Sequence, residues 1–469
     1  MWLRRPPAIP KLALFYSKRY HHSPVPLLDD LTQRGFIQDV SSRRDAFEGA
    51  LSSKKQTVYV GVDPTAKALH IGHLIPLMCL LHFQIRGHGI VPLIGGATGR
   101  VGDPSGRLVE RQLAEVSEVE ANVVNLTSSI QRFFKNALLY ATSRLESKEN
   151  VYQEPRVVNN LDWHGSTNLL QFLQTVGVRA RVNTMLNRES VRSRLSSQQG
   201  LSFTEFTYQL LQAYDFYHLH KHFGCTVQIG GSDQWGNIVA GLELIGKLES
   251  ESPSDHSNDA FGITTPLLTT STGEKFGKSA GNAVWLDPKL TSVFDFYQYF
   301  IKVADVDVEK YLKLFTFMPQ MEIAELLKLH NEQPEKRIAQ HRLAAEVTEM
   351  VHLKSGVTQA NVVTTLLFSS EYAGLKTRDV IASIGNDPRF VKISRSDILS
   401  IPVPKLAAKY GLVASNSVSK TLVASRGLYL NNRSVPDTQY KAMPEDLLDG
   451  SFLIIRAGKD KILVLSSSD

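Results

Sequence analysis

Three groups of side chains have the types and spacing to do chemistry. In Leu69-His70-Ile71-Gly72-His73-Leu74 two imidazoles stand three residues apart at the start of an apolar, helix-spaced run, where free backbone N–H groups and the helix dipole favour an anion. Gly72 between them carries no side chain, so a flat ring can lie against the chain there. Far downstream, Gly273-Glu274-Lys275-Phe276-Gly277-Lys278-Ser279 sets two lysines around a Phe-Gly pair in a Thr/Ser/Gly-rich stretch, cations able to follow charge onto a leaving polyphosphate. Between them, Tyr208, Gln212 and Asp215 are spaced four and three apart, which puts a hydroxyl, an amide and a carboxylate on one side of a helix. Other readings stand beside these. A His-x-x-His pair can be two solvated histidines or half a metal site, although no Cys or acidic cluster nearby completes a tetrahedral set, and the Tyr208 face can be ordinary surface.

The elements that must position these groups follow from pattern. Thr57 to Val62 is β-branched and apolar and predicts a buried strand, ended by Asp63-Pro64-Thr65. Gly89 to Ile94 predicts a second strand, running into a glycine-rich loop from Gly95 to Arg107 that holds Asp103. Leu201 to His220 predicts a helix opened by a Ser202/Glu205 capping pattern, with Phe206, Leu210, Ala213 and Tyr217 as its apolar face. Thr226 to Ile229 predicts a further strand, ending at Gly230-Gly231-Ser232-Asp233-Gln234. Strands alternating with helices indicate an α/β, Rossmann-like nucleotide-binding domain with ligands at the carboxyl ends of its strands.

Over 469 residues, 42% hydrophobic and 21% charged, the chain has the length for two or three globular domains and no apolar run long enough to span a membrane. The formal charge of +6 is compatible with a polyanionic partner. Two cysteines, Cys79 and Cys225, offer no disulfide framework. Before the first acid, Asp29, the chain carries Arg4, Arg5, Lys11, Lys18 and Arg19 among apolar residues. This composition favours a mitochondrial transit peptide over residues 1–25, the alternative being a basic arm that touches nucleic acid. The core domain is expected over 26–288 with a mainly helical insertion at about 108–183, then an α-helical domain over 289–372, a connector over 373–397 and a small α+β domain over 398–469. From Ile398 to Pro436 there is no acid but five bases, Lys405, Lys409, Lys420, Arg426 and Arg433, a charge pattern that favours RNA contact over a merely solvated face.

The His70-Ile71-Gly72-His73 and Lys275-Phe276-Gly277-Lys278-Ser279 stretches, in this order, resemble the paired signatures of class I aminoacyl-tRNA synthetases. The resemblance is closest to the bacterial and mitochondrial tyrosyl type, strong over about Val58 to Leu286 and looser beyond, where the last domain is similar to a small ribosomal-protein RNA-binding domain. It implies that Tyr59 and Asp215 hold the phenolic hydroxyl of tyrosine, that Asp103, Tyr208 and Gln212 hold its ammonium, and that Asp63 and Gln234 belong to the same pocket. Gly61, Thr65, His70, Gly72, His73, Asp233, Lys275 and Lys278 would meet ATP, Asp233 on the ribose, with Ser279 beside the lysines. It further implies no permanently bound cofactor or protein metal site, ATP entering with Mg²⁺, and a homodimer with tRNA-Tyr across both subunits, acting in the mitochondrial matrix. Val60, Pro76 and Arg107 depart from the family pattern, and Pro76 is expected to kink its helix. A tryptophan enzyme is the rival within the class, disfavoured because Tyr59 with Asp215 suits a phenol. An RNA-binding protein on a silent synthetase scaffold is the rival outside it.

Overall fold

The computed structural model describes residues 25–41, 44–105, 115–145, 152, 154–196, 200–249, 260–269, 283–369, 371–372, 374–385, 387–458 and 461–468. The expected transit segment and the Lys275–Ser279 stretch lie outside them, as does Arg107.

One six-stranded sheet organises the first half of the chain. Its strands are β1 (Asp39–Val40), β2 (Thr57–Val62), β3 (Gly89–Ile94), β4 (Val158–Asn159), β5 (Cys225–Gly231) and β6 (Phe261–Thr265), in the order β1-β6-β5-β2-β3-β4. All pairings are parallel except the edge pair of β1 with β6. The chain leaves β2 for β3 and β4, then returns to lay β5 on the other side of β2. The order therefore reverses between β2 and β5, and a crevice opens there at the carboxyl ends of the strands. β2 and β3 have the expected bounds. β1 and β4 are two-residue strands too short for alternation to reveal, so the insertion expected to interrupt the sheet in fact returns a strand to it.

The helix Leu74–Gln84 is apolar all round, and every residue in it but Pro76 is buried, as such a pattern requires. Pro76 does not kink it. The ring sits in the first turn, where its missing N–H has no intrahelical acceptor to lose.

The second half, expected as a separate helical domain, shares its core with the first. Residues of the helices Val293–Ile301, Asp305–Phe315 and Ile338–Phe368 join the sheet domain in one hydrophobic cluster from Leu27 to Ala360. A buried charge network crosses the same junction. Arg144, ending the helix Val116–Arg144, donates to Glu346 Oε2 (3.1 Å) and Glu349 Oε2 (2.5 Å), and Tyr140 donates to Glu346 Oε2 (2.6 Å). The helix Ile338–Phe368 is interrupted at Leu353 (φ 64°). Asn136 donates to the Val351 carbonyl beside that break (2.7 Å).

A second sheet follows: β7 (Phe390–Ile393), β8 (Leu428–Leu430), β9 (Arg433–Ser434), β10 (Phe452–Ala457) and β11 (Lys461–Ser467), ordered β7-β11-β10-β8-β9. β7 pairs in parallel with β11, so the expected connector at 373–397 contains an edge strand of this sheet. The sheet packs on the end of the long helix through Val362, Val363 and Leu366, and Arg456 donates to the Leu367 carbonyl (3.0 Å). Lys405, Lys409, Lys420, Arg426 and Arg433 are all exposed. Lys405 and Lys409 face a shallow groove with Ser415 and Asn416 at the start of the helix Asn416–Ala424. Among the described residues no helix is long and apolar enough to cross a membrane.

Candidate active site

A cleft of about 310 Å³ occupies the crevice between β2 and β5. It is lined by Tyr59, Gly61, Asp63 and Thr65 from β2 and the turn after it, Asp103 from the glycine-rich loop, Gly72 and His73 from the histidine turn, Tyr208, Gln212 and Asp215 from the helix Phe203–Phe223, and Asp233 and Gln234 after β5. His70 is not among the lining residues; its ring lies 4.0 Å from that of His73.

The helix Phe203–Phe223 is capped as expected, Glu205 N–H donating to Ser202 Oγ (3.3 Å). On its polar side Tyr208 and Asp215 are buried, 4% and 1% exposed, and Gln212 is half-buried; of the expected apolar face Ala213 is buried while Phe206, Leu210 and Tyr217 are half-buried. A carboxylate this deep must be paid for in donors, and Asp215 has three. Asn160 Nδ2 donates to Oδ2 (3.0 Å), Trp163 Nε1 to Oδ1 (2.8 Å), and His164 Nε2 lies 2.8 Å from Oδ1. The same Asn160 donates to Thr98 Oγ1 (3.0 Å) and accepts from Ala97 N–H (2.7 Å), so its amide orientation is fixed. Sequence reasoning missed Asn160, Trp163 and His164. The available signal was Val157-Val158-Asn159-Asn160, an apolar pair running into a turn as the other strands do.

Asp63 and Tyr208 form the next link. Thr98 Oγ1 donates to Asp63 Oδ1 (2.7 Å) and Tyr208 Oη donates to Asp63 Oδ2 (2.8 Å). With its proton committed, the Tyr208 oxygen can only accept from a ligand. Burial first, then Asp63, Asp103 and Asp215, hold its pKa well above the ordinary value, and the two nearer carboxylates, Asp63 and Asp103, make this end of the cleft suited to a cation. Asp103 Oδ1 accepts from Ser105 N–H (2.9 Å) and Oδ2 from Gln234 Nε2 (2.7 Å), while Gln234 Oε1 accepts from Asn237 Nδ2 (3.0 Å). Gly95 must lack a side chain for this network to exist, since a Cβ there would lie 2.0 Å from Asp63 Oδ1.

Tyr59 differs from its neighbours. Its ring packs 5.2 Å from Phe216, it is 1% exposed, and its hydroxyl is buried without a hydrogen-bond partner among the described residues. Burial, with Asp215 next in effect, raises its pKa well above the ordinary value, so it is a neutral donor.

The histidine turn corrects one expectation. Its backbone amides are not free: His70 N–H donates to His73 Nδ1 (3.1 Å), Ile71 N–H to Val284 O (3.0 Å), Gly72 N–H to His70 Nδ1 (3.1 Å) and His73 N–H to His70 O (2.9 Å). What remains for an anion is the imidazoles. Because each Nδ1 accepts, each neutral ring carries its proton on Nε2. Burial holds both neutral, lowering His70 and taking His73 to about 3. The turn also anchors the far side of the lysine stretch, since His70 bridges Trp285 and Leu286 N–H donates to Leu69 O (2.9 Å). Leu267 and Leu268, before that stretch, line the cleft. Among the described residues no group of three or more His, Cys, Asp or Glu could hold a metal ion.

The sheet, parallel but for its edge pair, carries this cleft at its switch point, where open α/β sheets bind ligands, and a family model described as class I tRNA synthetases (W and Y) matches residues 51–369. The mitochondrial tyrosine–tRNA ligase of Saccharomyces cerevisiae is 41% identical over 94% of this chain and 88% of its own length. The tyrosine–tRNA ligase of Roseiflexus castenholzii is 40% identical over 92% and 97%. A C-terminally truncated mitochondrial tyrosyl-tRNA synthetase of Aspergillus nidulans superposes with a TM-score of 0.67 at 37% identity, covering 73% of this chain and 94% of that one. The chain belongs to the tyrosine–tRNA ligase family of class I aminoacyl-tRNA synthetases.

Proposed function

We propose that the cleft joins L-tyrosine to ATP and passes the product to the 3′-terminal adenosine of tRNA-Tyr in the mitochondrial matrix. The observation that carries the choice of amino acid is the pairing of Asp215 with Tyr59. A carboxylate offers about four acceptor directions, and three of those of Asp215 are filled. Tyr59 beside it has a proton to give. One hydroxyl that both donates and accepts completes the two groups, and phenylalanine leaves both unpaired at a cost no apolar contact offsets. Hydrogen-bonding sites reject hydroxyl-free analogues strongly for this reason, and tyrosine activation is itself the usual illustration of that rule.

At the other end, the tyrosine ammonium lies among Asp103, the Tyr208 oxygen and Gln212. The carboxylate, already ionised, attacks the α-phosphorus of ATP; pyrophosphate leaves and tyrosyl-adenylate remains. No side chain has to take a proton in this step. Rate comes from position and from donors aimed at the growing charge. Thr65 and the Nε2–H groups of His70 and His73 supply part of it as neutral dipoles, and Lys275 and Lys278, with Ser279 beside them, supply the cationic part. Gly61 and Gly72 give the nucleotide a bare surface and Asp233 receives the ribose hydroxyls. Mg²⁺ arrives with ATP and screens its phosphates. In the second step the terminal ribose hydroxyl of tRNA attacks the tyrosyl carbonyl and AMP leaves.

The helical domain meets the anticodon arm, and the exposed bases of the last domain add phosphate contacts. Two copies pair through the insertion, where Leu169, Leu170, Leu173, Val178 and Val182 are each exposed. Asp215→Ala tests the reading: preference for tyrosine over phenylalanine in ATP–pyrophosphate exchange should vanish, and a retained preference would overturn it. Lys278→Ala should slow exchange while leaving tyrosine binding intact.

A further inference from the structure

The turn after β4 gives Asp215 more support than burial alone requires. One donor on each oxygen, from Trp163 and Asn160, already pairs the carboxylate. His164 adds a third bond on the oxygen Trp163 already serves. An ionised carboxylate can only accept, so His164 Nε2 carries the proton in this contact. His164 is not among the residues that line the cleft. Its side chain is 8% exposed, and its ring is flanked by Tyr214 (5.6 Å) and Trp163 (6.3 Å). Trp163 is in turn braced by the ring of His218 stacked 4.4 Å away.

We infer that His164 is a positioning residue for amino-acid recognition: it fills the second acceptor direction of Asp215 Oδ1, so that the carboxylate presents one open direction, toward the hydroxyl in the cleft. The inference rests on the reading of the cleft as a tyrosine site. It makes His164 a determinant of specificity that never touches the substrate. The hydroxyl it orients lies at the opposite end of the amino acid from the reacting carboxylate, so its contribution is equal in ground and transition states and falls on KM.

The test is ATP–pyrophosphate exchange by the full-length enzyme. His164→Leu removes the donor and His164→Asn, one bond shorter, withdraws it; each should raise the KM for tyrosine about tenfold, the loss of one well-aligned charge-assisted hydrogen bond. The kcat and the KM for ATP should hold, and the tyrosine-to-phenylalanine ratio of kcat/KM should fall by the same factor. His164→Gln, which keeps an N–H at the reach of Nε2, should restore the ratio to within about twofold. A residue that only supports folding gives another pattern: a reduced active fraction and a lower apparent kcat, with both KM values and the ratio unchanged. That pattern in His164→Leu and His164→Asn would overturn the inference, as would failure of His164→Gln to recover the ratio. Tyr59→Phe separates the two levels. If it lowers the ratio while the His164 variants do not, the positioning role alone is wrong; if neither lowers it, the tyrosine-site reading fails with it.

Discussion

Tyr59→Phe removes one oxygen, and the surroundings of that oxygen fix the sign of two effects. In the folded chain the hydroxyl is buried and without a hydrogen-bond partner among the described residues. An unsatisfied buried polar group costs stability, so deleting it should leave the melting temperature unchanged or raise it, by about 1 kcal/mol at most and a degree or two in a chain of this size. Tyrosine binding moves the other way. The lost contact is a neutral hydrogen bond of about 0.5–1.5 kcal/mol, which is about a 2- to 13-fold rise in the KM for tyrosine with kcat and the KM for ATP unchanged. Phenylalanine, which makes no such contact, should bind no worse. Calorimetry and ATP–pyrophosphate exchange on the same preparation read both effects. A melting temperature lowered by several degrees with tyrosine affinity intact would show that the hydroxyl serves the fold and would refute the reasoning.

Glu346→Ala leaves Arg144 short of a buried partner and takes away the carboxylate that accepts from Tyr140, so the chain should lose about 3 kcal/mol in denaturant titration, with the loss felt across both halves of the shared core. Lys405→Ala combined with Lys409→Ala should weaken tRNA charging and lower the salt dependence of tRNA binding by a slope of about 2, leaving amino-acid activation unchanged. Acid should destabilise the fold early. Burial takes His73 to about 3 and His352 to about 4, while the unfolded chain protonates both rings below 6.5. The unfolded state therefore binds more protons as pH falls through this window, and each ring removes about 1.4 kcal/mol per pH unit between roughly 6.5 and its folded value. Urea midpoints that stay flat from pH 7 to 5 would contradict this. The activation step itself should show no inflection near 6.5 from His73, which burial keeps neutral there.

The parts of the site that lie on long elements were legible, and the parts that lie on short ones were not. β2, β3 and β5 carry strong apolar runs broken by Asp-Pro or Gly-Gly, so Asp63, Asp103 and Gln234 could be placed beyond strand ends from pattern, whereas Tyr59 lies within β2 and its place in the site came from the family resemblance. Tyr208 and Asp215 were found by spacing, but both are buried because the helix turns them to the sheet, something periodicity cannot decide when a face holds a phenol and a carboxylate. Asn160, Trp163 and His164 escaped because β4 is two residues long and has no period. The amides of the histidine turn were expected to be free because a helix start ordinarily leaves them so; here the imidazole Nδ1 atoms and the carbonyls of Val284 and His70 consume them, which a local reading cannot foresee. The helical domain looked separate because its helices do not alternate with strands, yet Arg144, Glu346 and Glu349 join elements some 200 residues apart in one core.

The central claim is that one hydroxyl completes Asp215 and Tyr59 while neutral imidazole donors wait for the phosphates. Amino-acid-dependent ATP–pyrophosphate exchange by the purified chain tests it most directly, with tyrosine, phenylalanine and tryptophan offered separately. The account predicts exchange with tyrosine and almost none with the other two. Comparable exchange with phenylalanine, or a preference for tryptophan, would contradict it.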